Sequence, residues 1–173
     1  NFGSLNIGDS IYMIGKKGSH LSCSTLEEVY NSESSIDPPE IDLYQEKQNG
    51  NGVLELIQEK IIASCHDISD GGMIVTICEM IMMDDRGATI NIVDNNKMMG
   101  ELFGEDQSRY IITISPELES IFEKKMKKRG VKYELIGCIT SSQLKINDSI
   151  IISNNEIRDA YESLIPSVMN NMA

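Results

Sequence analysis

The 173 residues are the size of one ordinary domain, and a chain of this length buries roughly 70% of the surface that its unfolded form exposes. With 40% hydrophobic and 24% charged residues, the composition excludes wholesale disorder, a fibrous repeat and a disulfide scaffold. The balance of 15 Lys and Arg against 27 Asp and Glu gives a net charge of -12, which repels nucleic-acid phosphate and anionic lipid. We therefore expect neither a nucleic-acid nor a membrane partner.

The cysteines and the first residues indicate the cellular setting. The four cysteines form no C-x-x-C pair and the chain has 2 histidines, which argues against a zinc site and favours reduced core thiols in a cytoplasmic protein. No apolar run reaches the roughly 18 residues that a transmembrane helix needs. The sequence opens on Asn1 without an initiating Met or a signal peptide. We expect a piece of a longer protein, with residues 1–7 the remnant of a preceding domain or linker and residues 8–173 the domain itself.

Strand character recurs along the chain. Short apolar or alternating runs bounded by turn residues predict strands. These runs cover residues 7–14, 62–65, 88–93, 110–114, 133–139, 143–146 and 149–152. Polar connections are expected at residues 16–24, 31–39, 48–52 and 103–108.

Helices are predicted between these strands. Residues 53–61 keep helical spacing, and residues 70–83 form a helix too apolar for the surface, which we place in the core. Pro116 starts a helix with an acidic first turn and a basic last turn at residues 124–129, and a final helix runs from about residue 155 past Tyr161. Because strands and helices interleave throughout, we predict an α/β or α+β fold around a mixed β-sheet packed with helices.

Residues 65–72, CHDISDGG, carry the most chemistry. They put two carboxylates, a hydroxyl and two glycines where a strand turns into a helix. A helix N-terminus offers unpaired N–H groups to an anion, and glycines let a phosphate approach the backbone. Asp67 could hold magnesium through oxygen while Ser69 donates to a phosphate oxygen. The residues alone leave open the alternative that Asp70 or Ser69 caps the helix and Asp67 closes a turn.

Four ordered segments resemble the phosphoribosylformylglycinamidine synthase family. Residues 66–73, HDISDGGM, followed by CEM at 78–80, are similar to its HDVSDGGL…AEM signature, and residues 102–110, LFGEDQSRY, resemble its LFGESQGR segment. Residues 135–137 resemble a later strand of the family, and residues 160–166 resemble its closing helix. The order and the spacing agree over most of the chain.

The resemblance implies the C-terminal domain of the second of two duplicated synthase modules, with the fold of the AIR synthase C-terminal domain. It implies an ATP-dependent ligase of purine biosynthesis that makes formylglycinamidine ribonucleotide from formylglycinamide ribonucleotide, glutamine and ATP. The implied cofactors of the full-length enzyme are Mg²⁺ and ATP or ADP. The implied partners are the preceding domains of the same synthetase and the glutaminase and small accessory subunits. Because the catalytic residues of the family lie in earlier domains, we expect none here and an inactive fragment.

The resemblance also assigns roles to single residues. In the family the aspartate that matches Asp67 binds magnesium and the serine that matches Ser69 binds nucleotide, at an auxiliary site. Gly71 and Gly72 are expected to line the same nucleotide site. By analogy with the duplicated first module, Glu105 and Gln107 are expected to contact substrate.

Two positions depart from the family pattern. Asp106 stands where the family has a small serine, and an added carboxylate would repel a phosphate there. Residues 21–24, LSCS, replace a Leu-Gly-Gly-Ser turn and lose the close backbone access that glycine allows. Two alternatives therefore remain: the C-terminal domain of another ATP-dependent enzyme of the AIR synthase superfamily, or a non-enzymatic scaffold domain.

Overall fold

A seven-stranded sheet forms the centre of the computed structural model, which describes residues 3–30, 37–93, 95–147, 149–163, 166, 168 and 169. The order across the sheet is β2-β4-β1-β5-β3-β6-β7; β3 and β6 pair in parallel and the other neighbours antiparallel. The strands are β1 Ser10–Ile14, β2 Ser64–Asp67, β3 Gly87–Ile90, β4 Tyr110–Ile114, β5 Tyr133–Thr140, β6 Gln143–Ile146 and β7 Ile150–Ser153. The predicted mixed sheet is confirmed.

Helices cover both faces of this sheet. They are α1 Thr25–Tyr30, α2 Leu43–Gln58, α3 Gly72–Asp84, α4 Met98–Phe103, α5 Glu119–Arg129 and α6 Asn154–Glu162, with 3-10 turns at Asn95–Lys97 and Pro116–Leu118. On one face, α3, α4 and α6 pack on the sheet; on the other, α2 and α5 do. Alternate residues of β1 enter the two cores, Ile11 and Met13 in the first and Tyr12 and Ile14 in the second.

The strongly apolar helix α3 lies in the core, as predicted. Met73, Ile77 and Ile81 are at most 1% exposed, and each side chain of this kind contributes roughly 1.5–3 kcal/mol when fully buried. The second core contains an aromatic cluster in which the ring centroids of Phe122 lie 4.7 Å from Tyr12 and 5.0 Å from Tyr133. Both faces of β1 and β4 are therefore buried, whereas β5 leaves Leu135 and Cys138 exposed.

The polar break expected at residues 48–52 is wrong, because these residues lie inside α2. Asn49 is fully buried: its amide donates to the carbonyl of Ser108 at 2.8 Å and accepts from Gln45 at 2.7 Å. A Cβ on Gly52 would lie 3.4 Å from Val131, so the glycine lets the helix approach the second core closely. Within the run, Asn49 and Gly52 therefore face the protein interior, while Asn51 lies on the exposed side of the helix.

Other differences concern short elements and ends. Neither α1 nor α4, of 6 residues each, was expected from the sequence. Strand β1 begins at Ser10 because Gly8 has a φ of 94° and the N–H of Asp9 donates to the carbonyl of Asn6, which forms a turn. The part of the predicted connection at residues 31–36, and Ile165 in the predicted closing helix, lie outside the described residues.

Residues before the predicted domain boundary pack on the domain. Leu5 is 3% exposed in the core beneath α3, and its N–H donates to the carboxylate of Asp84 at 2.6 Å. The N–H of Ser4 donates to the carbonyl of Ala63. The boundary between residues 7 and 8 stays a prediction. Of the helices in the described part of the chain, none has the length and apolar character needed to cross a membrane.

Candidate functional site

Three connections meet at one end of the sheet. Strands β1 and β2 end at Ile14 and Asp67, and Tyr110, the first residue of β4, is the register partner of both. Because antiparallel neighbours run in opposite directions, the residues after β1 and β2 leave the sheet where the residues before β4 enter it. The N–H of Ile68 donates to the carbonyl of Arg109 at 2.9 Å, which ties two of these connections together. The two sequence motifs are thus neighbours in space.

The first connection, residues 67–72, is named here the aspartate turn. The side chain of Asp67 is 68% exposed, and one carboxylate oxygen lies 3.5 Å from Nδ1 of His66. Ser69 and Asp70 are also exposed, while the carbonyl of Ser69 accepts the N–H of Gly72 at 3.0 Å. The carboxylate of Asp67 and the hydroxyl of Ser69 therefore face solvent, where a ligand can reach them.

Gly71 and Gly72 shape the start of α3. Gly71 is the N-cap, with a φ of 79° and no side-chain cap hydrogen bond, so the alternative in which Asp70 or Ser69 caps the helix is not seen. Gly72 has a φ of 72°, and a Cβ there would lie 2.7 Å from the carbonyl carbon of Phe103. Backbone conformation and the close approach of α4 both require glycine at this position.

Glu105 closes the aspartate turn from the opposite side. One of its carboxylate oxygens accepts the N–H of Gly71 at 2.7 Å and the N–H of Thr25, the first residue of α1, at 2.8 Å. An ionised oxygen that accepts such N–H groups makes hydrogen bonds about twice as strong as neutral ones. The Gly71 N–H, expected to serve a phosphate, is thus bonded to a carboxylate of the chain.

Asp106 and Arg109 organise the rest of the second connection, residues 104–109, named here the acidic loop. Asp106 accepts hydrogen bonds from the backbone of Ser19 and His20. The Arg109 side chain is 0% exposed; its guanidinium donates to the carbonyl oxygens of Asp106 and Gly104. Burial lowers the pKa of Arg109, while the charges of Asp106 and Glu105 act in the opposite direction. Arg109 was not predicted from the sequence to have a role at the site.

Gln107 faces a different space from the aspartate turn. It is exposed and lines a polar cleft of about 330 Å³ together with Lys16, His20 and Asn49. No residue of the aspartate turn lines this cleft. The structure therefore brings Glu105 to the aspartate turn but places Gln107 with the loop after β1 and the start of α2.

A second lysine beside this cleft is neutralised within the chain. The ammonium of Lys17 lies 3.1 Å from the buried carboxylate of Glu101 and 3.0 Å from Glu134. Burial acts to lower the pKa of Lys17, but the hydrogen bonds to Glu134 and Glu101 outweigh it and raise the pKa. Lys17 is thus committed to two carboxylates rather than to a ligand.

At this end of the sheet, the exposed carboxylate of Asp67 is the predicted ligand for a metal ion. In that part of the chain, no three His, Cys, Asp or Glu residues lie close enough together to hold a metal ion. Mg²⁺ is commonly held by one or two carboxylates, with phosphate oxygens and waters completing its octahedron. A single exposed carboxylate beside a phosphate group fits that habit.

The thiols take no part in this site. Burial, followed by the negative charge of Asp67, raises the pKa of Cys65 to about 12, and burial raises the pKa of Cys78 to about 11. Both are therefore protonated at neutral pH and poor nucleophiles. The prediction of reduced core thiols is wrong for Cys23 and Cys138, which are exposed.

Comparisons with known proteins agree with this architecture. The chain is 32% identical over 168 residues to the phosphoribosylformylglycinamidine synthase subunit PurL of Brucella ovis, and equally to that of Brucella suis. The alignment covers 97% of this chain and 23% of each relative, so the chain spans about a quarter of the length of these curated relatives.

Solved structures share the fold at lower identity. Thermotoga maritima PurL complexed with FGAR matches with a TM-score of 0.72 at 14% identity, over 91% of this chain and 29% of that chain. Thiamine-monophosphate kinase from Stenotrophomonas maltophilia matches with a TM-score of 0.60 at 13% identity, over 86% of this chain and 52% of that one. A family profile described as AIR synthase related protein, C-terminal domain, matches residues 6–148. The chain therefore belongs to the AIR synthase related family, as a C-terminal domain of that type.

Proposed function

We propose that the chain is the C-terminal part of a phosphoribosylformylglycinamidine synthase. The whole protein would use ATP and glutamine to convert formylglycinamide ribonucleotide to formylglycinamidine ribonucleotide in the cytoplasm. The observation that carries the proposal is the 32% identity to the Brucella PurL subunits over 97% of this chain. T. maritima PurL, which shares the fold, was solved in complexes with FGAR, ATP and ADP. These complexes support the proposal that the whole protein binds a nucleotide.

Within such a ligase, the aspartate turn would form the auxiliary nucleotide site. The exposed carboxylate of Asp67 would hold Mg²⁺, which when bound neutralises phosphate charge. Ser69, also exposed, would donate its hydroxyl to a phosphate oxygen, and Gly71 and Gly72 would form the wall of the site. Because the chain carries a net charge of -12, this local metal would supply the positive charge that the surface lacks.

Glu105 and Gln107 remain proposed to serve substrate binding, Glu105 by fixing the aspartate turn and Gln107 by direct contact. Glu105 is half-buried and held by the N–H groups of Gly71 and Thr25, so its role toward a ligand would be to fix the turn. Gln107 is exposed in the polar cleft and can offer both amide hydrogens and its carbonyl oxygen. A contact with a polar sugar or amide group fits that side chain.

A calorimetric titration tests the nucleotide site. Magnesium-ADP is titrated into the full-length enzyme that contains this chain, into its Asp67→Ala variant and into Asp70→Ala as the matched control, since Asp70 is exposed three residues away. We expect Asp67→Ala to lose one class of binding sites while Asp70→Ala keeps it. Binding by Asp67→Ala that is indistinguishable from the parent would refute the assignment.

Removal of the domain tests the ligase assignment. A synthetase without these residues should lose ATP-dependent formation of the amidine product, whether glutamine or ammonia supplies the nitrogen. Full activity of the truncated enzyme would contradict the proposal.

The proposed partners are the preceding domains, a glutaminase subunit and a small accessory subunit. A PurLQS structure from Thermotoga maritima shares the fold at a TM-score of 0.68, which supports an assembly of this kind. Affinity capture of the full-length protein should recover both subunits. Recovery of neither, with other proteins bound instead, would favour the scaffold alternative.

The alternative of another ATP-dependent enzyme of the AIR synthase superfamily has less support. The chain is 13% identical to thiamine-monophosphate kinase, and a similarity at this level shows only that the two proteins share a fold.

A further inference from the structure

The carboxylate of Asp106 accepts the hydrogen bonds that a bound oxyanion would accept. Its Oδ2 atom accepts the backbone N–H of Ser19 at 2.8 Å and the N–H of His20 at 3.0 Å, while the Ser19 hydroxyl lies 3.4 Å from Oδ1. Two successive backbone N–H groups directed at one anionic oxygen are the arrangement with which proteins bind phosphate. The donors come from a segment 86 to 87 residues away in the chain.

A buried cation lies beside the same carboxylate. Nη2 of Arg109 is 4.0 Å from Oδ2 of Asp106, and the arginine side chain is 0% exposed. Its Nε donates to the carbonyl of Asp106 at 3.0 Å and its Nη2 to the carbonyl of Gly104. Nη1 has no hydrogen-bond partner among the described residues. A buried guanidinium with an unused donor requires nearby negative charge, which Asp106 provides.

Two glycines shape the space around this cation and the carboxylate. A Cβ on Gly18 would lie 2.5 Å from Nη1 of Arg109. A Cβ on Gly104 would lie 2.9 Å from Oδ2 of Asp106 and 3.0 Å from the backbone nitrogen of Ser19. The backbone therefore comes close to the carboxylate, as it does around a phosphate ion, and a side chain at either position would close the space.

We propose that the Asp106 carboxylate fills, from within the chain, a cradle for a phosphate-like oxyanion formed by Ser19, His20 and Arg109. While Asp106 is in place, the cradle excludes inorganic phosphate and nucleotide phosphates. When the carboxylate is removed, the same donors bind phosphate. None of these contacts involves the aspartate turn, so the inference does not depend on the proposed nucleotide site.

Thermal unfolding of the 173-residue chain in low-millimolar sodium phosphate, against sodium chloride of equal ionic strength, tests this proposal. The Tm of the parent chain should not depend on phosphate. Asp106→Ser should unfold about 5 °C lower in chloride, and phosphate should restore about that shift with a saturable concentration dependence. Broadening of the ³¹P resonance of phosphate should accompany the restored stability.

Asp159→Ser is the matched control, since it removes one negative charge from the exposed surface of α6. It should behave as the parent, which separates a cradle from a general effect of net charge. Asp106→Ser without phosphate-dependent stabilisation, or a parent or control that gains as much as Asp106→Ser, overturns the proposal. If Asp106→Ser does not fold in chloride, its refolding yield is compared in the two salts: recovery in phosphate alone supports the cradle, and equal failure overturns it. Because the probe lacks nucleotide and magnesium, either result is independent of binding at the aspartate turn.

Discussion

At the same end of the sheet, Asp67 exposes 68% of its side chain, whereas Asp106 exposes 25% and accepts two backbone N–H groups. Glu105, next to Asp106, accepts two more, from Gly71 and Thr25. The aspartate turn therefore presents its carboxylate to solvent, while the acidic loop directs its carboxylates into the protein. Two neighbouring loops with two carboxylates each can thus use them in opposite ways.

The difference shows that the number of carboxylates does not define an anion- or cation-binding surface. A carboxylate that already accepts hydrogen bonds from backbone N–H groups holds two segments of the chain together. Its removal leaves those donors unsatisfied. An exposed carboxylate has little structural role, and its removal leaves the fold intact. Four substitutions, each with a control or a matched counterpart, test this contrast in order of expected effect.

The largest effect is expected for Arg109→Met in the acidic loop. Its guanidinium holds the carbonyl groups of Gly104 and Asp106 in a dry environment, and its loss leaves the Asp106 charge without its buried partner. We expect the free energy of unfolding to fall by about 3–5 kcal/mol, measured by urea denaturation followed by circular dichroism.

Arg129→Met is the control for this substitution. Its side chain is 40% exposed and pairs with Glu55 at the surface, so the change should cost no more than about 1 kcal/mol. Equal stability of the two variants would show that the acidic loop does not depend on its buried cation.

An intermediate effect is expected for Gly72→Ala in the aspartate turn. A left-handed backbone costs an alanine roughly 1–2 kcal/mol, and the close approach of Phe103 adds roughly 1–3 kcal/mol of overpacking. Gly8→Ala is the matched control, since Gly8 has a φ of 94° and its Cβ would meet nothing within 4 Å. Urea titrations should show Gly72→Ala less stable than Gly8→Ala; the reverse order would show that α4 yields readily.

The smallest effects are expected for Asp106→Asn and Asp67→Asn. Both substitutions remove one negative charge and leave the shape of the side chain nearly unchanged. The first converts charge-assisted hydrogen bonds to neutral ones and should cost about 1–2 kcal/mol. The second should stay within about 0.5 kcal/mol of the parent. Thermal unfolding at one pH measures both, and equal losses for the two would remove the contrast between the loops.

Local pattern predicted most of the fold. The strands predicted at residues 110–114 and 143–146 agree with β4 and β6, because each is a short run with clear boundaries. The prediction of a polar break at residues 48–52 failed because the partner that satisfies its buried amide is distant. Asn49 donates a hydrogen bond to Ser108, which is 59 residues away. Tertiary contacts there overrode the helix-breaking tendency of Gly50 and Gly52.

The sequence predicted which residues lie at the candidate site but not the hydrogen bonds that connect them. The position of Asp67 at the end of a strand followed from the sequence, and the structure places it at the end of β2. The hydrogen bond between Glu105 and Gly71 joins residues 34 apart in the sequence, and the hydrogen bond between Asp106 and Ser19 joins residues 87 apart. Spacing rules for helices and strands cover only neighbours within one element, so neither pairing could be derived from them.

Strand β1 also constrains how the molecule forms during synthesis. Residues 10–14 pair with residues 110–114 and 133–138, so the strand waits for at least 100 further residues before either neighbour exists. At roughly 5–20 residues per second, translation alone imposes a delay of roughly 5–20 seconds on a ribosome. During that interval Ile11, Tyr12, Met13 and Ile14 have no sheet to enter, so four side chains that the folded domain buries remain in contact with water.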